Sequence, residues 1–171
     1  MLHVYCGDGK GKTTCALGLA LRAAGAGMNV VIVQFLKGSH TSELESIKLI
    51  PNIKILRNQK DYGFVNNMTA EQLEQIKAEH NANLDKTLQL VDENKCDMLI
   101  LDEVTYAYSM DLADKNKIDQ LIKNRKNDIE VVVTGRDPDN FFIENADYIT
   151  EMKCVKHPFE KGISARKGIE F

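Results

Sequence analysis

The stretch CGDGKGKTT, from Cys6 to Thr14, gathers glycines, lysines and hydroxyls in adjacent positions. Gly7, Gly9 and Gly11 permit a tight turn whose backbone N–H groups converge on an anion, and a following helix N-terminus adds positive potential. Lys12 reaches phosphate oxygens as a point charge, and Lys10 is a second cation. The Thr13 hydroxyl is placed to ligate Mg²⁺, and Asp8 and Thr14 complete the loop. The usual phosphate-loop pattern is Gly, four residues, then Gly-Lys-Ser/Thr, and it asks for glycine where Cys6 stands. A small side chain fits a strand exit when the backbone there does not need positive φ. Nothing in the sequence marks Cys6 as a reactive thiol.

A metal-bound triphosphate needs acidic oxygens beside the loop. The apolar run MLILDE ends in Asp102 and Glu103, about ninety residues after Lys12, which is a Walker B arrangement. Either acid could instead cap a helix. Thr134-Gly135-Arg136 closes another apolar run, so Thr134 and Arg136 belong to the same rim, where the guanidinium could meet phosphate or a second substrate. A strand-end turn needs only turn chemistry, and that reading stays open. Lys37, after QFL, points the same way or is simply solvated.

These groups need elements that aim them at one place. LHVY (2–5), NVVIVQF (29–35), IKILR (53–57), CDMLILD (96–102), IEVVVT (129–134) and DYITEM (147–152) read as strands. Thr13 to Ala24 reads as a helix stopped by Gly25 and Gly27. Ser42 and Glu45 have capping-box spacing, predicting a short helix over about 42–49. Thr69 and Gln72 form a second box, followed by Leu73, Ile76, His80, Leu84, Leu88 and Val91 on one helical face. Ile118, Leu121 and Ile122 mark a later helix, and Asp137-Pro138 is expected to start the next. The tail from Lys153 to Phe171 reads as polar. Continuous apolar strands alternating with helices predict an α/β fold, a mainly parallel sheet covered on both faces in one doubly wound domain over 1–171.

The totals exclude several classes. Net charge is −3, so no global basic field favours nucleic acid or an acidic membrane. No apolar run spans a bilayer, and the first residues lack a signal-peptide layout. Four scattered cysteines form no zinc or disulfide pattern, which fits reduced thiols in the cytoplasm.

Taken together, GDGKGKTT, ALGLALRAAG, VVIVQFLKG, GF at 63–64, LDEVTY at 101–106, VTGR at 133–136 and the ending VKHPFEKGISARKGIEF resemble the ATP:corrinoid adenosyltransferases of the CobA/BtuR/CobO type. The match runs from the first strand to the last residue, and the family's loop typically carries a non-glycine residue at the position of Cys6. The resemblance implies a RecA-like phosphate-loop fold and a homodimer. It also implies Mg²⁺ or Mn²⁺, with ATP lying in the loop in the opposite sense to hydrolases. It implies transfer of the 5′-deoxyadenosyl group of ATP to Co(I) of a corrinoid (cobalamin, cobinamide or cobyrinic acid a,c-diamide), with triphosphate leaving whole. A reductase or flavodoxin-type protein would supply electrons. On this reading Lys12, Lys10 and Arg136 are catalytic, and Gly7 to Thr14 bind ATP. Thr13, Glu103 and Asp102 hold the metal, and Phe64, Asn66, Tyr62 and His157 meet the corrinoid. Better-studied members carry Gly-Phe-x-Trp after the third strand, where Phe and Trp displace the lower axial ligand; here Asn66 stands at the Trp position. Some members have a helical extension before the first strand that covers the nucleotide; its place is expected to be empty or filled differently. An ATPase or kinase releasing phosphate is the alternative reading, and a binding protein without turnover is a third.

Overall fold

The computed structural model describes residues 1–58, 60–63, 65–123 and 129–171. Its strands are β1 (Leu2–Cys6), β2 (Val30–Gln34), β3 (Ile53–Arg57), β4 (Met98–Asp102), β5 (Glu130–Thr134) and β6 (Tyr148–Glu151). The helices are α1 (Lys12–Gly25), α2 (Glu43–Ile47), α3 (Ala70–Asp92), α4 (Val104–Ser109), α5 (Lys115–Lys123) and α6 (Asn140–Asn145), with 3-10 turns at Val65–Asn67 and Pro158–Lys161. The six strands form one sheet in the order β3-β2-β4-β5-β1-β6, and every pairing is parallel.

Side chains alternate across the sheet, yet β2 and β4 are buried along their whole length, because both faces are covered. Val30, Ile32, Met98 and Ile100 face α1 and α2; Val31, Val33, Leu99 and Leu101 face α3 and the later helices. α1 presents Ala16, Ala20, Ala23 and Ala24, whose small side chains let its axis lie close to the sheet. In α3, Ile76, His80 and Leu84 are buried, and the Thr69–Gln72 capping box forms in both directions.

Two expected helix starts are corrected. Ser42 precedes α2 but makes no side-chain cap: its backbone is helical (φ −65°, ψ −29°) rather than extended, and its Oγ donates to the Phe171 carbonyl 3.0 Å away. Glu45 is engaged by Lys48 and His40 instead. α6 begins after Asp139, whose side chain accepts the Phe141 N–H, so Pro138 lies ahead of the cap rather than in the first turn.

Parallel pairing brings the carboxyl ends of all six strands to one edge. There the chain bends through the left-handed region at Gly7 (φ 94°), Leu36 (φ 58°), Glu103 (φ 62°) and Gly135 (φ 156°), after β1, β2, β4 and β5 respectively. Two of the four are not glycine, and each such residue costs about 1–2 kcal/mol that neighbouring contacts must offset.

Candidate active site

The β1–α1 loop lies at the centre of this edge. Cys6 is the last residue of β1 and is buried, while the positive φ falls on Gly7. A β-carbon on Gly7 would come 2.5 Å from the Met152 carbonyl oxygen, and one on Gly9 2.7 Å, so the chain leaving β6 fixes glycine at both places. Gly9 N–H donates to that same oxygen at 2.7 Å, and the Asp8 carboxylate accepts the Cys154 N–H at 3.1 Å. The Cys6 thiol is pushed above its ordinary pKa, first by burial and then by the Glu151 charge, the opposite of an activated nucleophile.

α1 starts at Gly11 with no side chain capping it, which leaves the first-turn amides for an anion. Lys12 is buried and folds over its own loop, donating to the carbonyls of Gly7 (2.7 Å) and Gly9 (2.8 Å). These carbonyls hold the ammonium over the loop.

Asp102 is the organising acceptor. Its Oδ1 accepts from Thr13 Oγ1 (2.8 Å) and Thr134 Oγ1 (2.7 Å). Its Oδ2 accepts from Lys37 Nζ (2.6 Å) and Gln34 Nε2 (3.3 Å). One carboxylate, 1% exposed, thereby ties α1, β2, β4 and β5 together. Lys37 also donates to Thr13 Oγ1 at 3.2 Å, so this lysine is paired rather than solvated. Next along the chain, Glu103 donates its N–H to Thr134 Oγ1 at 2.9 Å. Burial, followed by the Asp102 charge, raises the Glu103 carboxyl above its ordinary pKa, against the pull of Lys37, Lys12 and Arg136.

A cleft of about 370 Å³ opens on this cluster, lined by the loop from Asp8 to Thr14 with Glu103, Arg136, His157, Ile169 and Glu170. A second, of about 400 Å³, adjoins it across Thr13 and Thr14 and is walled by Lys37, Thr41, Ser42 and Gly168–Phe171. Both volumes suit small-molecule ligands. The structure thus brings Lys10, Lys12, Thr13, Asp102, Glu103 and Arg136 together. His157 joins the phosphate-loop cleft, its Nδ1 accepting the Phe159 N–H at 3.2 Å. Tyr62 and Asn66 lie apart, on the loop after β3: Tyr62 Oη donates to Glu79 at 2.7 Å, and Asn66 is exposed in its 3-10 turn. Phe64 lies outside the described residues. Apart from His157, sequence reasoning missed the tail as a wall of both clefts; its glycines and polar residues carry no periodic signal to show where it packs.

A parallel sheet with this loop at the end of one strand, and with Asp102 two strands away on β4, defines a phosphate-loop nucleotide-binding protein. Residues 1–171 match the family model "ATP:corrinoid adenosyltransferase BtuR/CobO/CobP". The chain is 36% identical over 172 residues to a corrinoid adenosyltransferase of Pseudomonas aeruginosa, covering all of this chain and 83% of that one. It is 30% identical to corrinoid adenosyltransferases of Escherichia coli K12 and Salmonella typhimurium, each alignment covering all of this chain and 85% of the relative. Likeness to solved structures is looser: Caenorhabditis elegans PCH-2 aligns at a TM-score of 0.43 and 16% identity, over 88% of this chain and 34% of that one. The chain belongs to the ATP:corrinoid adenosyltransferase family.

Proposed function

We infer that this chain transfers the 5′-deoxyadenosyl group of ATP to Co(I) of a corrinoid and releases triphosphate. The observation that carries this reading is a glycine- and lysine-rich phosphate loop joined through Thr13 to Asp102 and Lys37, in a chain that matches the family over its whole length. Co(I) brings its own electron pair to C5′. The C5′–O bond breaks, and its pair leaves on the triphosphate oxygen. No proton moves in that step, so no general base is needed. The work left to the protein is to stabilise the leaving polyanion, for which the loop amides, Lys10, Lys12 and Arg136 are placed. Gly7 to Thr14 cradle the phosphates in this reading. The family resemblance assigns Tyr62, Phe64, Asn66 and His157 to the corrinoid; of the described three, His157 lines the phosphate-loop cleft, and Tyr62 and Asn66 lie on the loop after β3.

The donor set fits Mg²⁺ or Mn²⁺. Thr13 Oγ1 and Asp102 Oδ2 already share one cation, the Lys37 ammonium, and Glu103 lines the same cleft. Among the described residues no three His, Cys, Asp or Glu side chains gather to hold a metal, so triphosphate oxygens would supply much of the coordination. Bound there, the ion would offset charge on the leaving group. The raised Glu103 carboxyl then serves as a metal ligand, where ionisation is favoured, rather than as the water-activating residue of an ATPase.

Four free cysteines and the absence, among the described residues, of a helix able to cross a membrane fit a cytoplasmic setting. A homodimer and an electron-donating reductase or flavodoxin-type partner follow from the family resemblance. ATP labelled with ¹³C at C5′ tests the reading: the label should move to a cobalt-bound carbon, and a label that stays on adenosine phosphates refutes it.

A further inference from the structure

His80 sits in the middle of α3, 1% exposed, and its spacing in the sequence is that of one more member of the apolar face. Its ring instead joins three loops. Nδ1 lies 2.7 Å from the Leu112 carbonyl, which can only accept, so the proton is on Nδ1. Nε2 lies 3.1 Å from the Leu36 N–H, which can only donate, so Nε2 keeps its lone pair. Asn58 Nδ2 approaches the same nitrogen at 3.3 Å, and Phe35 packs edge-on at 5.0 Å between ring centroids. The ring is therefore neutral and in a single tautomer.

The two groups held at Nε2 each anchor a segment that reaches the site. Leu36 is the left-handed residue two positions after β2, and the next residue is Lys37, on Asp102 and Thr13. Asn58 is the first residue after β3 and opens the loop that leads to Tyr62 and Asn66. The two loops also touch: Arg57 Nη2 donates to the Ser39 carbonyl at 2.5 Å, and Gly38 packs against Lys60 and Asp61.

We propose that neutral His80 is a positioning residue for adenosyl transfer: through one ring nitrogen it sets both the turn that presents Lys37 to the triphosphate side and the loop on the corrinoid side. This rests on the functional reading above. Protonation at Nε2 would replace the acceptor for Leu36 with a second donor and push both loops away. Burial holds the imidazole below its ordinary pKa, against the Leu112 bond and the Glu79 charge. Glu79, on α3 itself, is the charged neighbour; the groups packed on the ring from β2, β3 and the α4–α5 connection, namely Phe35, Leu36, Asn58 and Leu112, are neutral.

The experiment compares wild type, His80→Gln and His80→Leu between about pH 7.5 and about pH 5. It uses chemically reduced cob(I)alamin and MgATP, with circular dichroism on each sample. At neutral pH, His80→Leu should lose about tenfold or more in kcat, with KM for ATP changing less, and His80→Gln, which keeps an acceptor, should recover most of that loss. Wild type should fall further on the acid side than His80→Gln, which keeps only the loss that comes from protonating Glu103. A folded His80→Leu with wild-type kcat overturns the proposal, as does an unchanged acid limb in His80→Gln, which decides the matter if His80→Leu does not fold. Should wild type transfer nothing, the functional reading fails, and MgATP affinity by calorimetry over the same pH range still tests His80. An acid-side loss that is larger in wild type than in His80→Gln supports it, and matching profiles overturn it.

Discussion

Thr13 donates its hydroxyl to Asp102 across 2.8 Å, joining the first turn of α1 to the end of β4. The bond places the hydroxyl of the phosphate loop against the acid of the Walker B strand. Thr13→Val keeps the shape and removes both the bond and the oxygen proposed to face the metal. Transfer should drop about a hundredfold, with only about 1 kcal/mol lost in stability, while Thr13→Ser retains activity. Kinetics and urea melts on the two variants check this; equal loss in both would place the effect in packing.

Lys12 rests on the carbonyls of Gly7 and Gly9, held by neutral acceptors that phosphate oxygens outcompete. Lys12→Ala should abolish transfer, by at least about a hundredfold, without unfolding the chain. Near-normal turnover in that variant would remove the loop from the mechanism.

Much of this site is legible in the residues themselves. Glycine spacing, the acids ending an apolar run and the continuous strands are local patterns, and IKILR forms a strand at the expected residues. What local pattern cannot show is competition from distant groups. Ser42 has the spacing of a cap, yet its hydroxyl goes to Phe171, far along the chain. Lys37 reads as solvated or as aimed at the site's rim with equal reason until Asp102 is seen 2.6 Å away. α4 is too short to show a period between β4 and the next loop. His80 sits at a core spacing, and only the fold reveals that its nitrogens are used. Cys6 departs from the usual loop pattern without harm, because the backbone places the left-handed turn one residue later, where glycine stands.

Glu103 should trade stability for function. Its carboxyl is raised above the ordinary value of 4.5, so the stability tied to its neutral form is present in acid and lost as pH rises through the folded-state value. Glu103→Gln should therefore melt about 2–4 °C higher than wild type near neutrality in the absence of metal, converge with it in acid, and transfer poorly. Thermal melts in chelator across that range check the sign; a lower melting temperature at neutral pH contradicts it.

Asn66 is exposed in the turn after β3, where an added indole has room. Asn66→Trp should speed transfer that starts from Co(II) corrinoid with a reductase, and leave transfer from chemically supplied Co(I) nearly unchanged. A rate assay from each oxidation state reads the difference. No gain from Co(II) would mean that another side chain already walls off the lower face.

The most direct measurement is the phosphate product. Under anaerobic conditions the protein is given Co(I) corrinoid, ATP and Mg²⁺, and the Co(I) absorbance is followed while the product is identified by ³¹P NMR. Intact triphosphate, formed one for one with a cobalt–carbon bond and only when corrinoid is present, is the predicted result. Orthophosphate released without any need for corrinoid would contradict it.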